Sequence, residues 1–174
     1  HFTQFESREL GQELIDLAAA YKANPVLHAK KGTGKRVGCI FLNPSLRTRV
    51  STQIAAQQLG MEALVLNMDN EGWALELQEG AIMNKSTVEH IKDAAGVLCS
   101  YFDILAIRAF PSLTQKEEDV TDFVLHQFIK YCKIPVISLE SAIRHPLQSL
   151  ADQLTIQVAE SYGRNNTGNF FAAL

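Results

Sequence analysis

The 174 residues, 47% hydrophobic and 20% charged, suffice for one well-buried domain, and no apolar run approaches the roughly 20 residues that a membrane span requires. The start, His1-Phe2-Thr3-Gln4, is not the charged opening of a secretory leader, so a cytoplasmic protein with no membrane partner is expected. The net charge of −3 is unevenly placed. Between Asp16 and Glu62 there is no acidic residue, yet Lys22, Lys30, Lys31, Lys35, Arg36, Arg47 and Arg49 lie there, which favours an anionic ligand for that part of the chain. Without an aromatic stacking series the same charges give little support to nucleic acid, and none is expected as a partner. Cys39, Cys99 and Cys132 lack C-x-x-C spacing and sit in apolar segments, as core thiols do, so neither disulfides nor zinc ligands are expected.

Ser7 can cap a first helix in which Leu10, Leu14, Leu17 and Tyr21 recur at helical spacing and which Asn24-Pro25 ends. Lys30-Lys31-Gly32-Thr33-Gly34-Lys35 superficially resembles a nucleotide loop. It precedes its strand instead of following it, and Arg36 stands where Ser or Thr would be needed. Val37–Leu42 reads as a buried strand. After the turn at Asn43-Pro44, Leu46, Val50, Ile54 and Leu59 are expected to be the inward stripe of a second helix. Ala63–Asn67 is a further strand, which completes a βαβ crossover.

The stretch Asp69–Ser86 has no clean period and reads as a long loop holding Gly72 and the only tryptophan, Trp73. Val88, Ile91, Ala95, Leu98 and Phe102 mark another helix, and Asp103–Arg108 a third strand with Arg108 at its carboxyl end. Val120, Phe123, Val124, Phe128 and Tyr131 form one helical stripe, and Pro135–Leu139 a fourth strand. In Arg144-His145-Pro146-Leu147-Gln148, Pro146 falls near a first helical position with His145 at the cap. Four strands alternating with helices give an α/β fold: an open parallel four-stranded sheet with helices on both faces.

Such sheets bind ligands at the carboxyl ends of their strands. Asn43-Pro44-Ser45-Leu46-Arg47-Thr48-Arg49 follows the first strand, and the backbone N–H groups of Ser45–Thr48 would open a helix there. With the Arg47 fork and the hydroxyls of Ser45 and Thr48, the stretch suits a phosphate without a metal. Taken alone, it is equally a Ser45 cap on a solvated arginine face. Arg108 after the third strand and Glu140–Gln148 after the fourth fall at the same end of the sheet. That convergence separates the two readings.

Together, Ser45-Leu46-Arg47-Thr48-Arg49, Ile107-Arg108-Ala109-Phe110 and His145-Pro146-Leu147-Gln148 resemble the carbamoyltransferase family. Phe41-Leu42-Asn43-Pro44 ahead of the first motif, Gly72-Trp73, and Glu89-His90 are similar to the branch acting on N-acetylornithine or N-succinylornithine. The resemblance implies that Ser45, Leu46, Arg47 and Thr48 hold the phosphate of carbamoyl phosphate. It implies that Arg108, His145 and Thr48 surround the carbamoyl oxygen and that Gln148 accepts from the carbamoyl amide. Trp73 would reach the site of a neighbouring subunit, which implies a homotrimer, and Glu140 would lie near the acylated ornithine. No metal and no cofactor are implied. Val88 occupies the position where the branch has a glutamate or a proline to choose between acyl groups, and it matches neither.

On the same resemblance, 1–156 is the carbamoyl-phosphate-binding domain and 157–174 a tail. The amino-acid-binding second domain, with its H-C-L-P motif, has no counterpart in this chain. The chain is therefore expected to be a truncated acylornithine carbamoyltransferase, inactive alone, serving arginine biosynthesis when full length. A non-catalytic phosphate-binding or oligomerisation module, and an ornithine carbamoyltransferase acting on free ornithine, stand as alternatives.

Overall fold

A computed structural model describes residues 1–68, 74–82 and 87–165, the side chains of 162–165 excepted. Four parallel strands form the central sheet: β1 (Arg36–Phe41), β2 (Glu62–Asn67), β5 (Ile104–Arg108) and β6 (Val136–Glu140), in the order β2-β1-β5-β6. Two short strands pair separately: β3 (Leu75–Glu76) lies inside the expected loop, and β4 (Glu89–His90) takes the place of the expected first turn of the helix that follows. The helices are α1 (Arg8–Ala23), α2 (Arg47–Gln58), α3 (Ile91–Tyr101), α4 (Lys116–Val120), α5 (Phe123–Tyr131) and α6 (Pro146–Asn165).

The three layers follow from the period-two alternation of the strands. Ile40 of β1 and Leu105 and Ile107 of β5 face a core closed by α3 and α5, through Ile91, Ala95, Leu125 and Phe128. Val37, Cys39 and Phe41 of β1, with Ala106 and Leu139, face the other way onto Ala56 of α2 and Leu147 of α6. Helix α1 packs against α6 on that side. Cys39 is fully buried and the apolar surroundings push its thiol up to about 11, as a packing role requires. Gly38 faces Phe102 and Leu105; a Cβ there would stand 2.7 Å from the Phe102 ring, so the strand and the end of α3 approach only over glycine.

Several expected faces differ. In α2, Leu46, Val50 and Ile54 are exposed, and the inward line is Thr48, Thr52, Ala56 and Leu59. The polar threonines win because the first turn of α2 lines a polar cavity, while burial against the sheet begins only at Ala56. Leu17 of α1 is likewise exposed, and Ile15 is the residue of that helix that enters the core. Val88 lies outside α3, ahead of β4, and is exposed. The stripe Val120–Tyr131 is two helices: Asp122 takes a left-handed conformation (φ 52°) between α4 and α5 and leaves Val120 exposed. Helix α6 continues past residue 156 to Asn165, so the start of the expected tail is helical. At the β6 edge, Phe2 donates its N–H to Val136 O (2.8 Å) and accepts from Ser138 N (2.9 Å), adding an unforeseen bridge that covers the edge.

At the amino end of the sheet, Asp103 accepts from Lys35 Nζ (2.8 Å) and from the Arg36 N–H (2.9 Å). These donors hold its carboxyl below the ordinary aspartate range. A carboxyl with a lowered folded pKa stabilises the fold above its unfolded pKa, and that contribution disappears as pH falls through the lowered value. The advantage of the native chain over Asp103→Asn, measured by urea unfolding, is therefore expected near neutrality and should close as the solution is acidified through that window.

Candidate functional site

The strand order places β2 on one side of β1 and β5 on the other, so the chain reverses direction across the sheet between β1 and β5. Loops leaving adjacent strands at such a point diverge and leave a crevice at the carboxyl ends. A cavity of about 750 Å³ lies there, lined from the β1–α2 loop by Ser45, Leu46, Arg47 and Thr48, from β5 by Arg108, and from the β6–α6 loop by Glu140, His145 and Gln148. Eight of the sequence-derived residues thus share one cavity. Ser51, Thr52, Phe110 and Leu147 join them. Thr52 could have been found from Thr48, four residues earlier on the same helix face, and Phe110 from its place two residues beyond Arg108.

The start of α2 is built against the usual preference. Its N-cap is Leu46, one residue later than the expected Ser45, and makes no side-chain cap bond; the first turn holds no acidic residue and instead carries Arg47 and Arg49. Unmet N–H donors and positive side chains at the positive end of a helix dipole disfavour the helix by itself and favour it around an anion. Among the described residues nothing pairs with the Arg47 side chain, which is exposed toward this cavity.

Arg108 is buried and held on three sides. Its Nε donates to Glu140 Oε2 (3.2 Å), its NH1 to the carbonyls of Pro44 (2.8 Å) and Asn43 (3.3 Å), and its guanidinium carbon stands 3.8 Å over the Phe110 ring. Asn43 in turn accepts from the Phe110 N–H through Oδ1 (2.6 Å), so the loops after β1 and β5 are tied to each other. The register between β5 and β6 shifts at this point: Ile107 pairs with Ser138 but Arg108 with Glu140. The extra residue, Leu139, turns into the core and brings Glu140 opposite Arg108.

At α6, Pro146 takes the first helical position and His145 precedes it, as expected. The Gln148 N–H donates to His145 Nδ1 (3.2 Å), so the ring proton of the neutral imidazole sits on Nε2, which faces Glu140 Oε2 at 3.7 Å. Gln148 Nε2 donates to Asp152 Oδ1 (2.8 Å), which leaves its amide oxygen as the atom able to accept from a ligand. The cavity therefore offers cationic and N–H donors on the α2 side, a guanidinium and an imidazole N–H at its floor, and an amide acceptor on the α6 side. Val88 does not line it, and Trp73 lies outside the described residues. No group of three or more potential metal-ligating side chains occurs among the described residues. No described helix is long and apolar enough to cross a membrane.

Residues 1–158 match the family model of the aspartate/ornithine carbamoyltransferase carbamoyl-P binding domain. The chain is 40% identical over 152 residues to the N-succinylornithine carbamoyltransferase of Bacteroides fragilis, covering 84% of this chain and 48% of the relative. It is 41% identical over 159 residues to the N-acetylornithine carbamoyltransferase of Xanthomonas campestris, covering 90% and 46%. Among solved structures, acetylornithine transcarbamylase complexed with acetylcitrulline superposes with a TM-score of 0.86 at 39% identity, over 94% of this chain and 48% of that one. The chain thus spans about half the length of these relatives. The match of sequence and fold over nearly the whole length places this chain in the aspartate/ornithine carbamoyltransferase family, as its carbamoyl-phosphate-binding domain.

Proposed function

We propose that this chain is the carbamoyl-phosphate-holding part of an acylornithine carbamoyltransferase. The observation that carries the reading is the uncapped, basic start of α2 facing Arg108, His145 and Gln148 across one cavity. In this reading the phosphate sits on the N–H groups of the first turn of α2, with the Arg47 guanidinium and the hydroxyls of Ser45 and Thr48, and with Leu46 contributing through its backbone. The carbamoyl oxygen lies toward Arg108, His145 Nε2–H and Thr48, and the carbamoyl NH2 toward the Gln148 oxygen.

When the neutral side-chain amine of the acylornithine attacks the carbamoyl carbon, a C–N bond forms and negative charge builds on the carbonyl oxygen. Donors placed beforehand in a dry site stabilise that charge by about 2.7–4 kcal/mol each in comparable oxyanion sites. The C–O bond to phosphate then breaks, and the phosphate leaves held by Arg47 and the helix start, with its oxygen placed to take the amine proton. Glu140 keeps Oε2 for Arg108 and His145, while Oε1 has no partner among the described residues and is available to the incoming amine. Trp73 would reach the site of a neighbouring subunit in a homotrimer, and Val88 stands at the position that would choose between acyl groups. An amino-acid-binding domain, such as the remaining half of the relatives' length could supply, would close over the cavity. The solved structure of an N-acetyl-L-ornithine transcarbamylase mutant complexed with carbamyl phosphate and N-succinyl-L-norvaline, similar to this chain at 39% identity, supports a carbamoyl phosphate site on this scaffold.

Titration calorimetry with carbamoyl phosphate tests the reading. A charge-assisted bond to phosphate contributes about 1.5–3 kcal/mol, so Arg47→Ala should weaken binding roughly 10- to 100-fold. Unchanged affinity would sink the assignment. Incubating the isolated chain with acylornithine and carbamoyl phosphate separates an incomplete enzyme from a complete one, because steady formation of acylcitrulline contradicts the need for a second domain.

A further inference from the structure

Between β6, which ends at Glu140, and α6, which begins at Pro146, the chain makes one tight turn, and the position of that turn decides where His145 and Gln148 stand relative to Arg108. The turn is closed on itself: the Ser141 N–H donates to Arg144 O (2.8 Å) and the Arg144 N–H to Ser141 Oγ (3.2 Å). It is anchored from outside by a residue of another element. Asp122, 3% exposed, accepts from Ser141 Oγ (2.9 Å) and the Ile143 N–H (3.3 Å), and the Arg144 guanidinium lies 3.7 Å from its Oδ2. Asp122 precedes α5 yet makes no side-chain cap bond to it, and it holds a left-handed backbone uncommon for a non-glycine residue. Its carboxylate is therefore committed to the turn and not to its own helix.

We infer that Asp122 is a positioning residue for the cavity: it locks the 141–144 turn so that His145 presents Nε2–H beside Glu140 and Gln148 presents its amide oxygen. What those two groups then bind rests on the proposed function; their placement by Asp122 does not. Three contacts to one turn from a buried anion hold it to a single geometry, whereas a turn closed only by its own two bonds is free to shift relative to the sheet. The anchor acts on the α6 side alone. The start of α2, which would hold the phosphate, makes none of these bonds.

The test is nitrogen-15 NMR of the histidine rings of the free chain at about pH 8, above the ordinary histidine range. In the native chain His145 should be a single tautomer protonated at Nε2. In Asp122→Ala the tautomer should persist, since the Gln148 N–H fixes it, but the Nε2 signal, which reports the approach to Glu140, should move toward that of a solvent-facing imidazole, while His28, which pairs with the Tyr21 hydroxyl at 2.7 Å, keeps its signals. Asp122→Asn, which preserves shape and an acceptor oxygen, should restore most of the native pattern. Ser141→Ala removes the donor from the other side and should reproduce the effect if Asp122→Ala does not fold. A native His145 spectrum in both alanine variants overturns the inference.

Calorimetry adds a second arm. Asp122→Ala should lose about tenfold in carbamoyl phosphate affinity and no more than about twofold for inorganic phosphate. An equal loss for both ligands also overturns the inference. Absence of binding of either ligand to the native chain defeats the proposed function instead, and the position of the His145 Nε2 signal still decides the role of Asp122.

Discussion

Arg108→Ala should both destabilise the fold and abolish tight carbamoyl phosphate binding, the largest combined effect of any single change in the cavity. Arg108 is 7% exposed and satisfies Glu140 and two backbone carbonyls, so its removal leaves a half-buried carboxylate and two partly buried carbonyl oxygens without their donor. Breaking a buried pair from one side costs about 3–5 kcal/mol, and the low end applies because a quarter of the Glu140 side chain still reaches water. Urea unfolding should therefore show a loss of about 3 kcal/mol. Calorimetry on the folded fraction should show carbamoyl phosphate affinity down about a hundredfold or more. A double variant, Arg108→Met with Glu140→Leu, should recover most of the stability and none of the binding, because an apolar pair of similar volume leaves no uncompensated charge. Recovery of binding in that variant would show that Arg108 has no part in holding the ligand.

Phe128→Ala is the change expected to hurt stability most without touching the cavity. Phe128 is fully buried in the layer where α5 meets α3 and the strands β1 and β5, and truncating a phenylalanine in such a core costs about 3–5 kcal/mol. Against a typical total of about 5–15 kcal/mol, that leaves a marginal domain, detectable as a large drop in the urea midpoint. Val50→Ser on α2 should cost less than about 0.5 kcal/mol, since Val50 is exposed. The contrast reverses what hydrophobic spacing in α2 suggests. A large loss at Val50 would mean that the helix face is covered in the folded state.

Much of this fold was legible before any coordinates. The strands are short apolar runs, their alternation with helical stripes implies a parallel sheet, and Ser7, Asn24 and Pro146 mark helix ends through local hydrogen-bonding chemistry. The cavity residues were legible for the same reason: polar and charged residues directly after a buried strand fall at the carboxyl edge of the sheet. What was not legible lay where a local pattern competes with its surroundings. The apolar stripe of α2 pointed the wrong way because the helix start borders a polar cavity, and the α4–α5 break depends on Asp122 bonding to a turn about twenty residues away in the chain.

From residue order alone came the layer architecture and the set of groups able to hold an anion, because these depend on composition and spacing within single elements, while the family came from the resemblance of three motifs. Only the tertiary structure decided how those groups are aimed. The β5–β6 register shift sets Glu140 against Arg108, the bond from Gln148 N–H selects the His145 tautomer, and Asp152 turns the Gln148 amide. Each is a contact between atoms brought together by packing, and a side chain's orientation is set by its partners in space. The basic start of α2 is the case where both levels meet: the arginines are visible in the sequence, but the missing cap that makes the N–H groups available to an anion appears only in the folded chain.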